Sequence, residues 1–156
     1  MKLDVEFINP FLSATLKVLE IQASTKATAG TIEIKGQKQN PPCAISGIIG
    51  ITAEAFNGSV VIGFPKETFL GIMSRMLGEE YTSFNKDIID GAGELTNIIF
   101  GQAKVALNEK GFGIKMAIPS VISGTGIEVH GVTKGPIVVV PFKTDLGPFF
   151  IEISLS

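Results

Sequence analysis

The order of apolar patterns along the chain predicts an α+β fold in which two pseudo-repeated halves surround a largely antiparallel sheet. Three observations support this prediction. The patterns run helix, strands, two helices and strands again. The strand-like segments are short and lie between turns that contain Gly or Pro. The length of 156 residues suits one ordinary domain with a sizeable core, so residues 1–156 are expected to form a single domain.

The first helix is predicted to begin at Asn9 and Pro10. Asn is a favoured N-cap residue and Pro is favoured at the first helical position. Apolar residues at helical spacing then continue to a predicted end near Gln22. This helix would correspond to the segment GAGELTNIIFGQAK in the second half. Because the helix that starts at Pro10 contains no Glu-x-x-Asn sequence, we expect one active surface per chain.

Strands are predicted in the rest of the first half. Residues 30–38, GTIEIKGQK, alternate apolar and polar, and a more continuous apolar segment runs from Cys43 to Phe56. The dipeptide Asn57-Gly58 separates that segment from SVVIGF. Asn-Gly between two apolar runs is typical of a tight hairpin, so the turn is predicted there.

Two helices and a second group of strands make up the remainder. Pro65 is predicted to open a helix that Gly78 ends, and a longer helix is predicted from Ser83 or Asn85 to Gly111. Four strand-like segments separated by turns follow, namely KMAIPSVISG, IEVHGV, GPIVVVPF and FFIEISL.

Composition and charge exclude several classes of function. The chain has 13 Lys and Arg against 15 Asp and Glu, and its basic residues are scattered, which argues against a nucleic-acid-binding surface. No apolar segment is long enough for a membrane helix, and the N-terminus does not have the pattern of a signal peptide. The single cysteine, Cys43, fits a reducing cytoplasm. Charged residues are only 18% of the chain, which is consistent with self-association through an apolar surface.

The long third helix, which contains DIIDGAGELTNIIFGQAKVAL, has an unusual polar stripe. Asp90, Glu94, Asn97 and Gly101 fall within an arc of about 60°. Asp90 and Glu94 are like charges one turn apart, which destabilises a helix by about 0.2–0.5 kcal/mol. Lys86 lies within reach of Asp90, but Glu94 has no cation in its own helix, so we expect a partner to supply one. The opposite, apolar face is predicted to comprise Ile88, Ala92, Leu95, Ile99, Ala103 and Ala106.

This pattern resembles the CheC, CheX and FliY phosphatases, which act on the response regulator CheY. The resemblance rests on Asp90-x-x-x-Glu94-x-x-Asn97, followed by Gly101, Lys104 and Pro119. The surrounding letters GELTNIIFGQAK are typical of the CheX branch, and a single copy of the motif also favours CheX over CheC. The resemblance extends over nearly the whole chain and implies a CheX-like domain that forms a homodimer.

The resemblance also implies an activity and residue roles. The substrate would be the aspartyl phosphate of a CheY-like receiver domain, which carries its own Mg²⁺ and lysine. Asn97 would orient the attacking water, as a glutamine does in GTPases. Glu94 would form a salt bridge with the lysine of the receiver. Asp90, Gly101 and Lys104 would contact the receiver, and no metal or other cofactor would be bound by this chain itself.

Other interpretations of the same residues remain open. The stripe could belong to a non-catalytic binding module that docks a receiver or a flagellar switch component. Taken without the family pattern, Glu94 and Asn97 are ordinary surface residues, and an acidic Asp90 is favoured by the helix dipole whatever its function. His130 is the only histidine and has no nearby second ligand, so a metal site or a Ser-His triad has little support.

Overall fold

The computed structural model describes residues 5–34, 43–116, 119–127 and 137–155. Three helices and eight strands lie within these ranges. Their bounds, in chain order, are α1 Val5–Ala23, β1 Ala27–Ala29, β2 Glu33–Ile34, β3 Cys43–Thr52, β4 Asn57–Phe64, α2 Lys66–Leu77, α3 Lys86–Glu109, β5 Lys115–Met116, β6 Ser120–Ile127, β7 Ile137–Thr144 and β8 Gly147–Leu155.

The described strands form one sheet, and every pairing in it is antiparallel. The strands β4 and β8 lie at its centre, with β3 beside β4 and β7 beside β8. Each half places its first two strands against a long strand of the other half, since β1 and β2 pair with β7 while β5 and β6 pair with β3. The predicted α+β fold with two related halves around an antiparallel sheet is therefore confirmed.

The three helices cover one face of this sheet. Alternate residues of the long strands, such as Ile49, Ile62 and Ile151, join a single apolar cluster with buried residues of all three helices. The ring of Phe11 in α1 lies 6.2 Å from the ring of Phe100 in α3 in an edge-to-face arrangement, which fixes the two helices against each other. Among the described helices, none is long and apolar enough to cross a membrane.

The start of α1 differs from the prediction. The helix begins at Val5, and Pro10 lies inside it rather than at its first position. An internal proline costs a helix about 3 kcal/mol, but Phe7 and Ile8 are both buried, and burying each such side chain contributes about 1.5–3 kcal/mol. The longer helix includes Glu6 and Asn9, so the prediction that the first helix contains no Glu-x-x-Asn is wrong.

The hairpin turn between β3 and β4 also differs from the prediction. Residues 53–56 form the turn, where the N–H of Ala53 donates to the carbonyl of Phe56 at 2.9 Å, and Asn57 already pairs with Thr52. Gly58 serves a different purpose, because a Cβ there would overlap the carbonyl of Ser154 in β8. The glycine allows two central strands to approach closely and does not form a turn.

The predicted bounds of the other two helices hold. Gly78 ends α2 in the left-handed conformation with φ 73°, and the Asn85 side chain caps α3 by accepting from the N–H of Ile88 at 3.0 Å. The segment KMAIPSVISG contributes β5 and β6, while most of IEVHGV, including His130, lies outside the described residues.

Candidate functional site

The polar and apolar faces of α3 lie where the sequence predicts them. Asp90, Glu94, Asn97 and Gly101 are all exposed, and we call these four residues the α3 stripe. Of the predicted apolar face, only Ala106 is half-buried instead of buried. The buried residues of this helix are Ile88, Ala92, Leu95, Thr96, Ile99, Phe100, Ala103 and Leu107.

Thr96 determines how the middle of α3 rests on the sheet. It is 2% exposed, and its hydroxyl donates to the carbonyl of Ala92 at 2.7 Å, so a polar residue is buried without an unsatisfied group. A Cβ at Gly47 of β3 would overlap the Thr96 side chain. The helix therefore lies directly on the bare backbone of β3, with Glu94 and Asn97 on either side of this contact and turned outward. The apolar pattern of the sequence does not reveal Thr96, because a threonine is not expected in an apolar helix face.

The polar side chains of the site have no partners among the described residues. In the ranges that the structure describes, no hydrogen bond or ion pair engages the side chains of Asp90, Glu94, Asn97 or Lys104. Lys86, which the sequence places within reach of Asp90, does not pair with it. Lys104 is half-buried, one turn beyond the stripe. The acid and the amide are therefore free to contact an external partner.

The three glycines of α3 have different surroundings. A Cβ at Gly91 would lie 2.6 Å from the sulfur of Met73 in α2, so this glycine permits close helix packing. A Cβ at Gly93 would make an ordinary contact of 3.7 Å with Val121. At Gly101 nothing lies within 4 Å. Only Gly101 has no packing reason within the described chain, although glycine inside a helix costs about 0.5–1 kcal/mol relative to alanine.

Pro119 lies next to the same region. It is half-buried and directly precedes β6, the strand whose Val121 faces Gly93 of α3. Because proline has no N–H to donate to a strand pairing, Pro119 suits the position just before β6 begins.

A nucleophilic cysteine does not belong to this site. Burial raises the pKa of the Cys43 thiol, which also contacts the Ser46 hydroxyl at 3.3 Å on β3. A thiol with a raised pKa stays protonated near neutral pH and is a poor nucleophile. Within the described residues, no group of three or more His, Cys, Asp and Glu side chains is arranged to hold a metal ion.

The fold agrees with that of known proteins. The family model for the chemotaxis phosphatase CheX matches residues 45–143, which is more than half of the chain and includes all of α3. The chain belongs to the CheX family. The resemblance to the CheX branch drawn from the α3 motif is therefore confirmed.

Relatives of the CheX family align with this chain over nearly its full length. The CheY-P phosphatase CheX of Thermotoga maritima is 28% identical over 147 residues, covering 88% of this chain and 90% of that protein. The crystal structure of CheX from Vibrio vulnificus is 37% identical with a TM-score of 0.92, covering 97% of this chain and all of that one.

One solved relative includes a partner. The CheX–CheY complex from Borrelia burgdorferi, which contains BeF₃ and Mg²⁺, is 26% identical to this chain with a TM-score of 0.80. The match covers 97% of this chain and 99% of that one. The matched chain of that complex is therefore similar to this chain over nearly its full length.

Proposed function

We propose that this CheX-family protein hydrolyses the aspartyl phosphate of a CheY-like receiver domain and that the α3 stripe is its active surface. The observation that carries the proposal is an exposed acid and an exposed amide, Glu94 and Asn97, with no partner in the described chain. They lie on the helix that the CheX family model covers. The Thermotoga relative named as a CheY-P phosphatase supports the substrate class.

Asn97 orients the attacking water. Its side-chain carbonyl accepts a hydrogen from the water, and its NH₂ group donates to a phosphoryl oxygen or a receiver group. An acyl phosphate is already reactive, and phosphoryl transfer needs mostly positioning and electrostatic stabilisation. An amide that neither titrates nor forms a covalent bond is therefore sufficient for the chemistry.

Glu94 anchors the receiver. An exposed carboxylate that lacks a cation in its own chain can take one from a partner, and the receiver lysine beside the phosphoryl group is of the right charge. A charge-assisted contact that loses its water on docking can contribute a few kcal/mol. Asp90 and Lys104 flank Glu94 and Asn97 and would add further polar contacts with the receiver.

Gly101 supports close approach of the receiver. The open space around its Cα means that no neighbour in the described chain requires a glycine there. Its helix cost of about 0.5–1 kcal/mol is explained if the receiver surface occupies that space. The Mg²⁺ needed for catalysis belongs to the receiver in this proposal, in line with the Borrelia complex that contains Mg²⁺ together with CheY.

A homodimer is part of the proposal inherited from the CheX resemblance. Each edge of the sheet has an exposed apolar side chain that fits self-association, namely Ile34 on β2, 76% exposed, and Ile122 on β6, 42% exposed. Sedimentation of the purified protein at micromolar concentration tests it, and a monomer mass would contradict it.

The test of the activity is release of inorganic phosphate from receiver domains phosphorylated with acetyl phosphate in Mg²⁺. The wild-type protein should accelerate release, and Asn97→Ala should lower the rate by about 10²–10³-fold if Asn97 is the only positioned group. Gln102→Ala is the matched control, because Gln102 is an exposed amide on the same helix outside the stripe.

The same assay distinguishes a phosphatase from the main alternative, a non-catalytic binding module. A catalyst loses rate in Asn97→Ala but keeps its affinity for the receiver, whereas a binding module has no rate to lose. No acceleration of any receiver by the wild type, combined with measurable binding, would favour the module and contradict the phosphatase.

A further inference from the structure

The surface of α3 around Gly101 has the shape of a hole. On an α-helix the nearest neighbours of a residue lie three and four positions away in both directions. For Gly101 these neighbours are Asn97, Ile98, Lys104 and Val105. Gly101 has no Cβ, and nothing in the described chain lies within 4 Å of where one would be. The four neighbours therefore surround bare helix backbone, and we call the glycine with these neighbours the Gly101 hole.

Hydrocarbon lines most of the Gly101 hole. Val105 is 60% exposed, so its aliphatic side chain lies largely in water. Ile98 is half-buried and packs against the apolar core. Lys104 is also half-buried, and the methylene groups of a lysine can cover apolar surface while its ammonium group stays in water. Three of the four neighbours therefore offer hydrocarbon to a partner, and Asn97 is the polar fourth.

The direction of helical side chains encloses the hole at one end. Every Cα–Cβ bond in an α-helix tilts toward the N-terminus of the helix. The side chains of Lys104 and Val105 therefore lean toward Gly101, whereas that of Asn97 leans away from it. Val105 forms a wall on the C-terminal side, and the hole is open on the side of Asn97.

The Gly101 hole is continuous with the active surface proposed above. Along the helix axis, Gly101 lies about 6 Å from Asn97 and Val105 lies about 12 Å from it. A specific protein–protein interface covers about 800 Å² of each partner, which is a much wider patch than this distance. A receiver that brings its phosphoryl group to Asn97 therefore covers Gly101 and Val105 as well.

We propose that the Gly101 hole receives one apolar side chain of the receiver and holds it against Val105. This inference rests on the proposed function of the α3 stripe. Four residues of one surface enclose an inserted side chain in the same way where helices pack knobs into holes. The occupant is apolar because the backbone groups of Gly101 are used inside α3, so a polar group would lose water without gaining a hydrogen bond there.

The experiment measures binding of a BeF₃-activated CheY-like receiver in Mg²⁺ by isothermal titration calorimetry. Val105→Thr keeps the branched shape and replaces one methyl group with a hydroxyl, and it should raise Kd about three- to tenfold. In phosphate release the same variant should raise KM more than it lowers kcat, because Val105 acts in docking at a distance from Asn97. A wild type that binds, with an unchanged Kd in Val105→Thr, overturns the inference and leaves the α3 site intact.

A double variant tests whether Gly101 and Val105 act on one inserted side chain. Gly101→Ala fills the hole and should raise Kd by itself. Once the receiver side chain is kept out, adding Val105→Thr should raise Kd by less than about twofold more, because the two changes affect the same contact. Full additivity of the two changes overturns a shared occupant.

Ile21→Thr is the matched control. Ile21 is a branched apolar residue of α1 that is 64% exposed. It lies fourteen residues, or about 21 Å along the helix, from Phe7, whose ring lies 5.5 Å from that of Phe112 beyond the C-terminal end of α3. Ile21 is therefore at the end of α1 away from the Gly101 hole, and Ile21→Thr should leave Kd unchanged. A rise equal to that of Val105→Thr would overturn the inference.

Binding and catalysis separate the two proposals. A wild type that binds the activated receiver but does not accelerate phosphate release contradicts the phosphatase, and the Kd values of the variants still decide the Gly101 hole. A wild type that binds no receiver overturns both. Far-ultraviolet circular dichroism checks that each variant is folded.

Discussion

The exposed residues Glu6 and Asn9 of α1, which we call the α1 pair, repeat the acid and the amide of the α3 stripe in a different setting. Glu94 and Asn97 lie in the middle of a 24-residue helix that Asn85 caps. Glu6 and Asn9 lie at the start of a 19-residue helix, directly before Pro10. An acid in a first helical turn is favoured by the helix dipole even without a function, and the residue before a proline is biased away from the helical conformation.

The support beneath the two surfaces also differs. The α3 stripe surrounds Thr96, which rests on the backbone of β3 at Gly47. The α1 pair surrounds Phe7 and Ile8, and the ring of Phe7 contacts that of Phe56 at 5.4 Å in the β3–β4 turn. The α3 stripe is therefore backed by a strand of the sheet, whereas Phe7 beneath the α1 pair packs against aromatic rings that lie outside the strands. Two Glu-x-x-Asn sequences on exposed helix faces can therefore differ in function, because different contacts beneath each helix position the side chains.

The largest expected effect comes from reversing the charge of the anchoring acid. Glu94→Lys should replace attraction to the receiver lysine with repulsion and lower kcat/KM by about 10²-fold or more, which corresponds to a few kcal/mol. Steady-state phosphate release at low receiver concentration measures it. Glu6→Lys should lower kcat/KM clearly less. Equal losses in the two variants would contradict the assignment of the active surface to the α3 stripe.

The second effect tests the contact between Thr96 of α3 and Gly47 of β3. Gly47→Ala should force Thr96 and the helix away from β3, destabilising the fold by about 1–3 kcal/mol and lowering the phosphatase rate. Urea denaturation and phosphate release measure the two consequences. Gly50→Ala is the matched control on the same strand, because a Cβ there meets nothing within 4 Å. Equal behaviour of both variants would contradict the role of this contact.

The third effect compares how the two helices end. Gly111 follows α3 with φ 87°, whereas Ser24 follows α1 with φ 48°. A non-glycine residue in the left-handed region costs roughly 1–2 kcal/mol, so Gly111→Ala should destabilise the protein by about 1 kcal/mol and Ser24→Gly should stabilise it. Thermal unfolding measures both. Stabilisation by Gly111→Ala would contradict the conformational argument.

The smallest effect separates stability from function. Gly101→Ala should stabilise the free protein by about 0.5–1 kcal/mol, because it removes a helix-interior glycine in open space. The same change should weaken binding of BeF₃-activated receiver, which isothermal titration calorimetry measures. Ser13→Ala, at an exposed position of α1, is the control because it adds no bulk. Unchanged receiver affinity in Gly101→Ala would remove the reason proposed for this glycine.

The sequence by itself determined the features that depend on local backbone geometry. Helical periodicity identified the exposed and buried faces of α3, because side chains three and four apart share a face whatever the surrounding fold. Asn85 and Gly78 marked helix ends because capping depends on neighbouring backbone groups. The stripe of Asp90, Glu94, Asn97 and Gly101 could therefore be found, and its motif was enough to suggest the family.

Only the tertiary structure decided the features that depend on distant residues. Helix α1 continues back past Pro10 because Phe7 and Ile8 are buried against other parts of the core. Gly58 is needed because β8 lies close to its backbone, and Gly47 is needed because α3 lies close to its backbone. Both of these elements are remote in the chain. The presence of Glu6 and Asn9 on an exposed helix face also depends on the longer helix α1. Contacts between remote segments leave no periodic trace in sequence, so these features became visible only in the folded chain.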